Sequence, residues 1–140
     1  MGQGHIVHEI ISKRLYTSRA DVFNREDLEG KSVVVDLSGE AKIPQACKSE
    51  CIYLRWDMDT DVDEHAFEGL VRFCACMMRA QKTAVLIIGH QDTVDVIAAC
   101  AMREYLGCNG KIAVGILRES RSSALSKTVL LNTVLNYKVS

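Results

Sequence analysis

The sequence predicts an α/β fold with a mostly parallel central sheet and helices on both of its faces. Short segments rich in β-branched residues alternate with longer segments whose apolar residues recur at spacings of three and four. The apolar runs within 31–38 and 83–89 are nearly continuous, as expected for strands that are covered on both faces. Strands and helices that alternate in this way are typical of an open parallel sheet.

The positions of the elements follow from these patterns. Strands are expected at 14–18, 31–38, 51–56 and 83–89. Helices are expected at 19–30, which closes on a glycine, at 64–81, and from about Thr93 to Leu106, where Gly107 and Asn109 signal the end. The apolar face of the helix at 64–81 consists of Phe67, Leu70, Val71, Cys74, Met77 and Met78. Segment 111–121 is ambiguous between strand and helix, and 123–138 is predicted to be an amphipathic helix.

Length and composition exclude several classes of protein. The 140 residues are the size of one domain, and no repeat, low-complexity run or linker divides them, so we expect a single domain over 1–140. A net charge of -1 without a long basic run makes nucleic acid an unexpected partner. No apolar run is long enough to span a bilayer and no secretory signal is present, so we expect a cytoplasmic protein without a membrane segment.

The six cysteines are expected to be reduced, because the chain has the size to form a core and lacks a secretory signal. The pairs Cys47 with Cys51 and Cys74 with Cys76 have spacings that zinc ligands use. However, Cys74 and Cys76 fall in a helical pattern, where residues two apart face different directions. Buried thiols are therefore favoured over a structural metal, and no cofactor is expected.

The loop GHQDTVD, from Gly89 to Asp95, joins a predicted buried strand to a predicted helix. Ligands of parallel α/β sheets bind at the carboxyl ends of strands, which is where this loop falls. His90 is open to three interpretations: a catalytic base, a metal ligand together with Asp92, or a solvated side chain. Asp92 and Asp95 stand three apart at the helix start, so capping and stabilisation of the helix dipole are favoured over a ligand role.

Taken together, these segments resemble the cysteine-dependent dual-specificity protein phosphatases over nearly the whole chain. KRLYTSRADVFNREDLEGKSVVVDLSGEAKIP is similar to the opening of that family, and CIYLRWDMDTD to the strand and acidic loop that carry its general acid. AVLIIGHQDTVDVIAACAMREYL is similar to the signature strand, loop and helix. GILRESR falls where the family has a helix that ends in Arg before the last helix.

In that family one loop, H-C-x5-R, carries the reaction. Its cysteine becomes a thiolate nucleophile because backbone N–H groups and a helix N-terminus lower the thiol pKa, and the same N–H groups hold the phosphate. The arginine clamps the phosphate through two parallel hydrogen bonds. An aspartate on a separate loop protonates the leaving oxygen.

This chain departs from that motif at both chemical positions. Ile88 stands at the histidine position, Gly89 at the nucleophile, Asp95 at the arginine and Val96 at the usual Ser or Thr. The degenerate phosphate loop consists of Gly89, His90, Gln91, Asp92, Thr93, Val94 and Asp95. No other register restores the motif, since the residues six places after the cysteines are Tyr53, Asp57, Ala80, Lys82, Leu106 and Val114.

The departure implies that turnover is lost, and it argues against phosphate binding as well. A pair of unit charges about 4 Å apart near a protein surface is worth roughly 4 kcal/mol, and Asp95 in place of arginine turns this attraction into repulsion. The general-acid region contains Asp57, Asp59 and Asp61. Without a nucleophile these acids have nothing to protonate, so we expect a solvated, vestigial loop.

Two functional hypotheses follow. The resemblance implies a catalytically inactive phosphatase-like domain, a pseudophosphatase, whose partner is another protein. The alternative is an enzyme that uses the strand-to-helix loop for non-cysteine chemistry, with His90 and either Asp92 or Asp95 as acid and base. A buried pocket around His90 would favour the enzyme, whereas a shallow or filled loop favours the binding module.

Overall fold

The computed structural model describes residues 7–18, 30–37, 51–55, 64–80 and 83–139. The strands within these ranges are β1 (His8–Ile11), β2 (Leu15–Ser18), β3 (Val33–Asp36), β4 (Ile52–Arg55) and β5 (Val85–Ile88). The helices are α1 (Glu64–Arg79), α2 (Gln91–Leu106), α3 (Gly110–Ser120) and α4 (Thr128–Asn136). The helix expected before Gly30, the acids Asp57, Asp59 and Asp61, and Cys47 lie outside the described residues.

The five strands form one mixed sheet in the order β1-β2-β5-β3-β4. β2, β5, β3 and β4 pair in parallel, so the predicted mostly parallel sheet is confirmed. β1, which was not predicted, pairs antiparallel with β2 through a short turn in which Lys13 has a φ of 61°. The register places Ser18 and Asp36 on either side of Ile88, so the carboxyl ends of three strands meet beside the loop that follows β5.

The central strands are buried on both faces, which explains their nearly continuous apolar sequence. On one face, Val33, Val35, Val85 and Ile87 join the main core cluster, to which all four described helices contribute. Successive residues of a strand point to opposite faces, so Val34, Leu86 and Ile88 belong to a second, smaller cluster.

Helix α2 is the central helix of the main core cluster, and it begins earlier than predicted. Its first residue is Gln91, two positions before Thr93, and every residue from Val94 to Met102 is buried. It ends as predicted, because Gly107 takes the left-handed conformation with a φ of 65° and donates its N–H to the carbonyl of Arg103 (2.9 Å).

The ambiguous segment after α2 is helical because Asn109 caps it. The Asn109 side chain accepts a hydrogen bond from the Ile112 N–H (3.0 Å), so this residue starts α3 directly after α2 has ended. The predicted helix at 123–138 is helical only from Thr128. Residues 122–125 form turns instead, where Leu125 is buried with a φ of 57°.

Helix α4 is fastened to the C-terminal end of α2. Arg103 donates from one terminal nitrogen to the carbonyl of Val134 (3.0 Å), and the Tyr137 hydroxyl donates to the Glu104 carboxylate (2.7 Å). Gly110 lets the helices approach closely, since a Cβ there would lie 2.8 Å from the Leu135 Cα. These contacts fix where the chain between α3 and α4 passes. In the described ranges, none of the helices combines the length and apolarity that a membrane span requires.

Candidate functional site

The loop after β5 begins with a residue that has no side chain to contribute. Gly89 is buried, and its N–H donates to the carbonyl of Ser18 (3.1 Å). His90 follows as the N-cap residue of α2, with its side chain exposed and making no capping hydrogen bond. The first position of the loop is therefore filled by backbone, and the next residue faces solvent.

Asp95 lies one turn into α2 and is 1% exposed. Its Oδ1 accepts a hydrogen bond from the Gln91 side-chain amide (3.0 Å), and its Oδ2 forms an ion pair with the Arg121 guanidinium. The structure therefore brings an arginine to the degenerate loop. This arginine comes from the chain that follows α3, and the anion that it binds is the protein's own carboxylate.

The charge on Asp95 is balanced within the fold. Burial raises the pKa of Asp95, and the neighbouring Asp92 raises it further, while the bonds from Gln91 and Arg121 lower it and offset part of the rise. The repulsive field expected from an isolated aspartate is thus largely cancelled by Arg121. The carboxylate and the guanidinium are thus already paired with each other.

Asp92 is paired in the same way, but at the surface. It accepts a hydrogen bond from the Lys127 ammonium group (2.8 Å), and the two side chains are 48% and 71% exposed. This hydrogen bond raises the pKa of Lys127. The contact joins the first turn of α2 to the start of α4.

The predicted capping role of Asp92 and Asp95 is wrong, but Asp92 does lie in the first turn of α2, where an acid stabilises the helix dipole. Because α2 begins at Gln91, Asp92 is its second residue and Asp95 its fifth, and the N-cap position belongs to His90. An N-cap side chain bonds backbone N–H groups of the first turn, which a residue inside the helix does not do. Both acids instead pair with cations from the chain near the C-terminus.

Residues 121–127 form a connection between α3 and α4 that is held in a defined shape. Arg118 donates to the carbonyls of Ala124 (2.9 Å) and Leu125 (3.1 Å), and Leu125 is 2% exposed. Arg121 and Lys127, which stand at its two ends, are the partners of the loop acids. Sequence reasoning missed both cations, because the charges are visible in the sequence while their pairing over 26 and 35 positions is not.

A second polar pair lies beside the loop and was also missed. Asp36, the fully buried last residue of β3, accepts a hydrogen bond from the Tyr53 hydroxyl on β4 (2.6 Å). Burial and this hydrogen bond raise the pKa of Tyr53. The only sequence signal for Asp36 was its position at the end of a predicted strand. A buried acid is rare unless it is paired, so its burial would have indicated a partner.

None of the described cysteines lies in the loop. Cys74, Cys76, Cys100 and Cys108 are free thiols. Burial raises the pKa of Cys74 and of Cys100 to about 12, so both are protonated at neutral pH. Cys74 is buried and Cys76 exposed, as helix spacing requires. Across the residues that the structure describes, no cluster of three or more His, Cys, Asp or Glu side chains suits a metal ion.

No family model and no curated protein matches the sequence. Solved structures do match. Human DUSP28 is similar at a TM-score of 0.68 and 18% identity, over 91% of this chain and 89% of that chain. The human tyrosine phosphatase-like serine/threonine/tyrosine-interacting protein is similar at a TM-score of 0.70 and 15% identity, over 91% and 92%. A mouse putative dual specificity phosphatase, complexed with zinc tungstate, is similar at 0.66 and 17%, over 92% and 86%. This chain therefore has the dual-specificity phosphatase fold.

Proposed function

We propose that the protein is a catalytically inactive phosphatase-like domain, a pseudophosphatase, that acts by binding another protein. The observation that carries the proposal is the ion pair between Asp95 and Arg121. It places an internal carboxylate against a guanidinium in the loop that would otherwise receive a phosphate. The fold is retained while its anion-binding loop is satisfied from within.

The nucleophile is the first missing part. Cysteine chemistry needs a thiolate at the end of the central strand, where backbone N–H groups stabilise it. Gly89 occupies this position, and the buried thiols of Cys74 and Cys100 remain protonated at neutral pH, since both have a pKa of about 12. The described cysteines therefore offer no substitute nucleophile in the loop.

The enzyme hypothesis needs an acid and a base that face each other in an enclosed site. The three side chains that it invokes are dispersed: His90 is exposed, Asp92 is bound to Lys127, and Asp95 is bound to Arg121. This is the filled loop that favours the binding module. One structural neighbour is named as an interacting protein, which is consistent with a protein partner.

The proposal predicts a protein without phosphatase activity. Hydrolysis of a generic aryl phosphate should not exceed background at any pH from about 5 to 8, because no thiolate forms in the loop. The assay is made across the final sizing column. Activity that co-elutes with the protein would contradict the proposed inactivity under two conditions. It must survive Lys111→Ala, on the exposed surface of α3, and it must be lost in His90→Ala.

Partner binding is tested separately. Affinity purification from the native cell should recover a defined protein whose binding persists after phosphatase treatment of the lysate, because phosphate recognition is not part of the proposal. A partner that is lost on dephosphorylation would show that the loop region still reads phosphate. Reduced thiols fit a reducing compartment, so the cytoplasm is the cellular location that we propose.

A further inference from the structure

Arg121 has two partners, one inside the protein and one at its surface. One terminal nitrogen pairs with the buried carboxylate of Asp95. The other donates to the hydroxyl of Ser123 (3.0 Å), an exposed residue in the turn that follows. A single guanidinium thus links a surface hydroxyl to the degenerate loop.

We propose that Ser123 is a phosphorylation site through which Arg121 is drawn away from Asp95. The inference rests on the proposed function, because it assigns a regulatory role to the loop that the protein no longer uses for catalysis. The donor is a nucleoside triphosphate used by a separate protein kinase. The Ser123 oxygen bonds to the γ-phosphorus, the bond from that phosphorus to the bridging oxygen breaks, the nucleoside diphosphate leaves, and the hydroxyl proton passes to the base of the kinase.

The acceptor hydroxyl is presented from a turn whose backbone is fixed from behind. Arg118 holds the carbonyls of Ala124 and Leu125, and the buried Leu125 side chain anchors the turn to the core. Ser122 and Ser123 are exposed on the outer side. A phosphate on Ser123 therefore stays next to Arg121 after it has formed.

The phosphate outcompetes the carboxylate by charge and by shape. A phosphoserine carries about −1.5 to −2 charges at pH 7 and offers three acceptor oxygens, and arginine binds phosphate with two parallel hydrogen bonds. Its oxygens replace the neutral Ser123 hydroxyl as acceptors at a guanidinium that is 26% exposed. Asp95 is then left with Gln91 as its hydrogen-bond donor and with the nearby negative charge of Asp92.

The loop loses one of its two ties to the α3–α4 connection when Arg121 turns outward. The remaining tie is the exposed contact between Asp92 and Lys127. Exposed ion pairs contribute little to stability, so the contact between the first turn of α2 and the ends of the connection is loosened, while Leu125 keeps the turn anchored in the core. Phosphorylation at Ser123 would in this way alter the surface around the degenerate loop.

The test uses the full chain with genetically encoded phosphoserine at position 123. The aspartate carboxyl groups are labelled with carbon-13. The pKa of Asp95, followed by NMR titration, should rise by about one pH unit or more, which is the effect of losing a charged partner. The matched control carries phosphoserine at Ser122, which is exposed in the same turn. That protein should titrate like the unmodified one.

Two further samples show whether the effect passes through Arg121. In an Arg121→Gln background, phosphoserine at 123 should produce no additional rise in the pKa of Asp95. Ser123→Glu carries a smaller charge and should act in the same direction with a smaller shift. Equal shifts from the two phosphoserines, or an Asp95 titration unchanged by phosphate at 123, overturns the proposal.

Use of the site in the cell is tested by peptide mapping. Trypsin cleaves after Arg121 and Lys127 and releases SSALSK, in which fragment ions distinguish Ser122, Ser123 and Ser126. Phosphate is expected on Ser123 in protein isolated with phosphatase inhibitors, and its presence on the other serines alone would overturn the assignment. Aryl phosphate turnover by the unmodified protein would instead contradict the proposed function and leave these readouts unaffected.

Discussion

Asp95 and Arg121, which are 26 residues apart in the sequence, form an ion pair between the start of helix α2 and the chain that follows α3. The two side chains differ in burial: that of Asp95 is 2% exposed and that of Arg121 is 26% exposed. The buried acid in the loop after β5 is thus matched by an arginine from another segment. The unequal burial decides what the loss of each partner costs.

The first prediction concerns the two single deletions of this pair. Arg121→Ala should lower the free energy of unfolding by about 3 kcal/mol, because it leaves a buried carboxylate without its cation. Asp95→Ala should cost less, about 1 kcal/mol, since Arg121 can reach water. The double variant should resemble Asp95→Ala. Urea denaturation at pH near 7 measures all three, and additive losses would show that the pair is not coupled.

The second prediction is a pH dependence with a defined sign. Because burial raises the pKa of Asp95, the unfolded chain releases this proton at a lower pH than the folded protein does. The stability that Asp95 contributes is therefore complete below its unfolded pKa and declines as the pH rises through its raised folded pKa. Relative to Asp95→Asn, the wild type should lose stability as the pH rises above the ordinary aspartate pKa of about 4. A relative gain would mean that Arg121 outweighs burial.

The sequence predicted the parts of the fold that depend on local pattern. Strands that are buried on both faces have a nearly continuous apolar sequence, and Gly107 marks the end of α2. β1 was missed because HEII shows neither a regular alternation nor a continuous apolar run. The start of α2 was misplaced because Asp92 resembles a cap, whereas the observed N-cap, His90, makes no side-chain bond there.

The candidate site was predictable in position but not in its contacts. The resemblance located the loop and led us to expect Gly89 and Asp95 at the nucleophile and arginine positions. It could not show that Arg121 neutralises Asp95, because such pairing depends on how α3 and α4 pack against α2. The charge of Asp95 alone was therefore a poor guide to anion binding, because its effect depends on the pairing with Arg121 in the folded protein.

The third prediction tests the packing that positions the α3–α4 connection. Gly110→Ala should lower the free energy of unfolding by about 1–3 kcal/mol, because its Cβ would lie 2.8 Å from both the Cα and a side-chain carbon of Leu135. Gly115→Ala is the matched control on the same helix, since nothing lies within 4 Å of its Cβ. It should be neutral or stabilising by up to about 1 kcal/mol. Thermal melting of both variants measures the difference. Equal melting temperatures would refute the close approach of Gly110 to Leu135.

The fourth prediction concerns thiol reactivity in the folded protein. Cys76 is exposed and should be alkylated by iodoacetamide within minutes at neutral pH. Cys74 and Cys100 are buried with a pKa of about 12, so their modification should require unfolding. Peptide mapping after a timed pulse identifies the modified residues. Rapid labelling of Cys100, or a disulfide in the intact mass, would contradict the reduced, structural role of these thiols.

The last prediction tests whether Gly89 and Asp95 occupy the nucleophile and clamp positions. The double variant Gly89→Cys with Asp95→Arg should gain measurable tungstate binding, with most of the gain due to the arginine and little to the cysteine. Gly89 is not among the glycines with positive φ, which in the described ranges are Gly30 and Gly107, so its backbone accepts a side chain. The new arginine would stand beside Arg121, and the carboxylate that now pairs with Arg121 would be gone.

This crowding sharpens the expected result. In buffer without oxyanion the variant should melt below the wild type, because two guanidiniums meet where an ion pair stood, and tungstate should restore the melting temperature by supplying the missing negative charge. Replacing Arg121 by Ser in the same background should relieve the melting defect and weaken the binding. Calorimetric titration of wild type and variant with tungstate gives the affinities. Micromolar binding by the wild type would show that the Asp95–Arg121 pair does not close the loop, and a folded double variant that binds nothing would refute the assignment of positions 89 and 95.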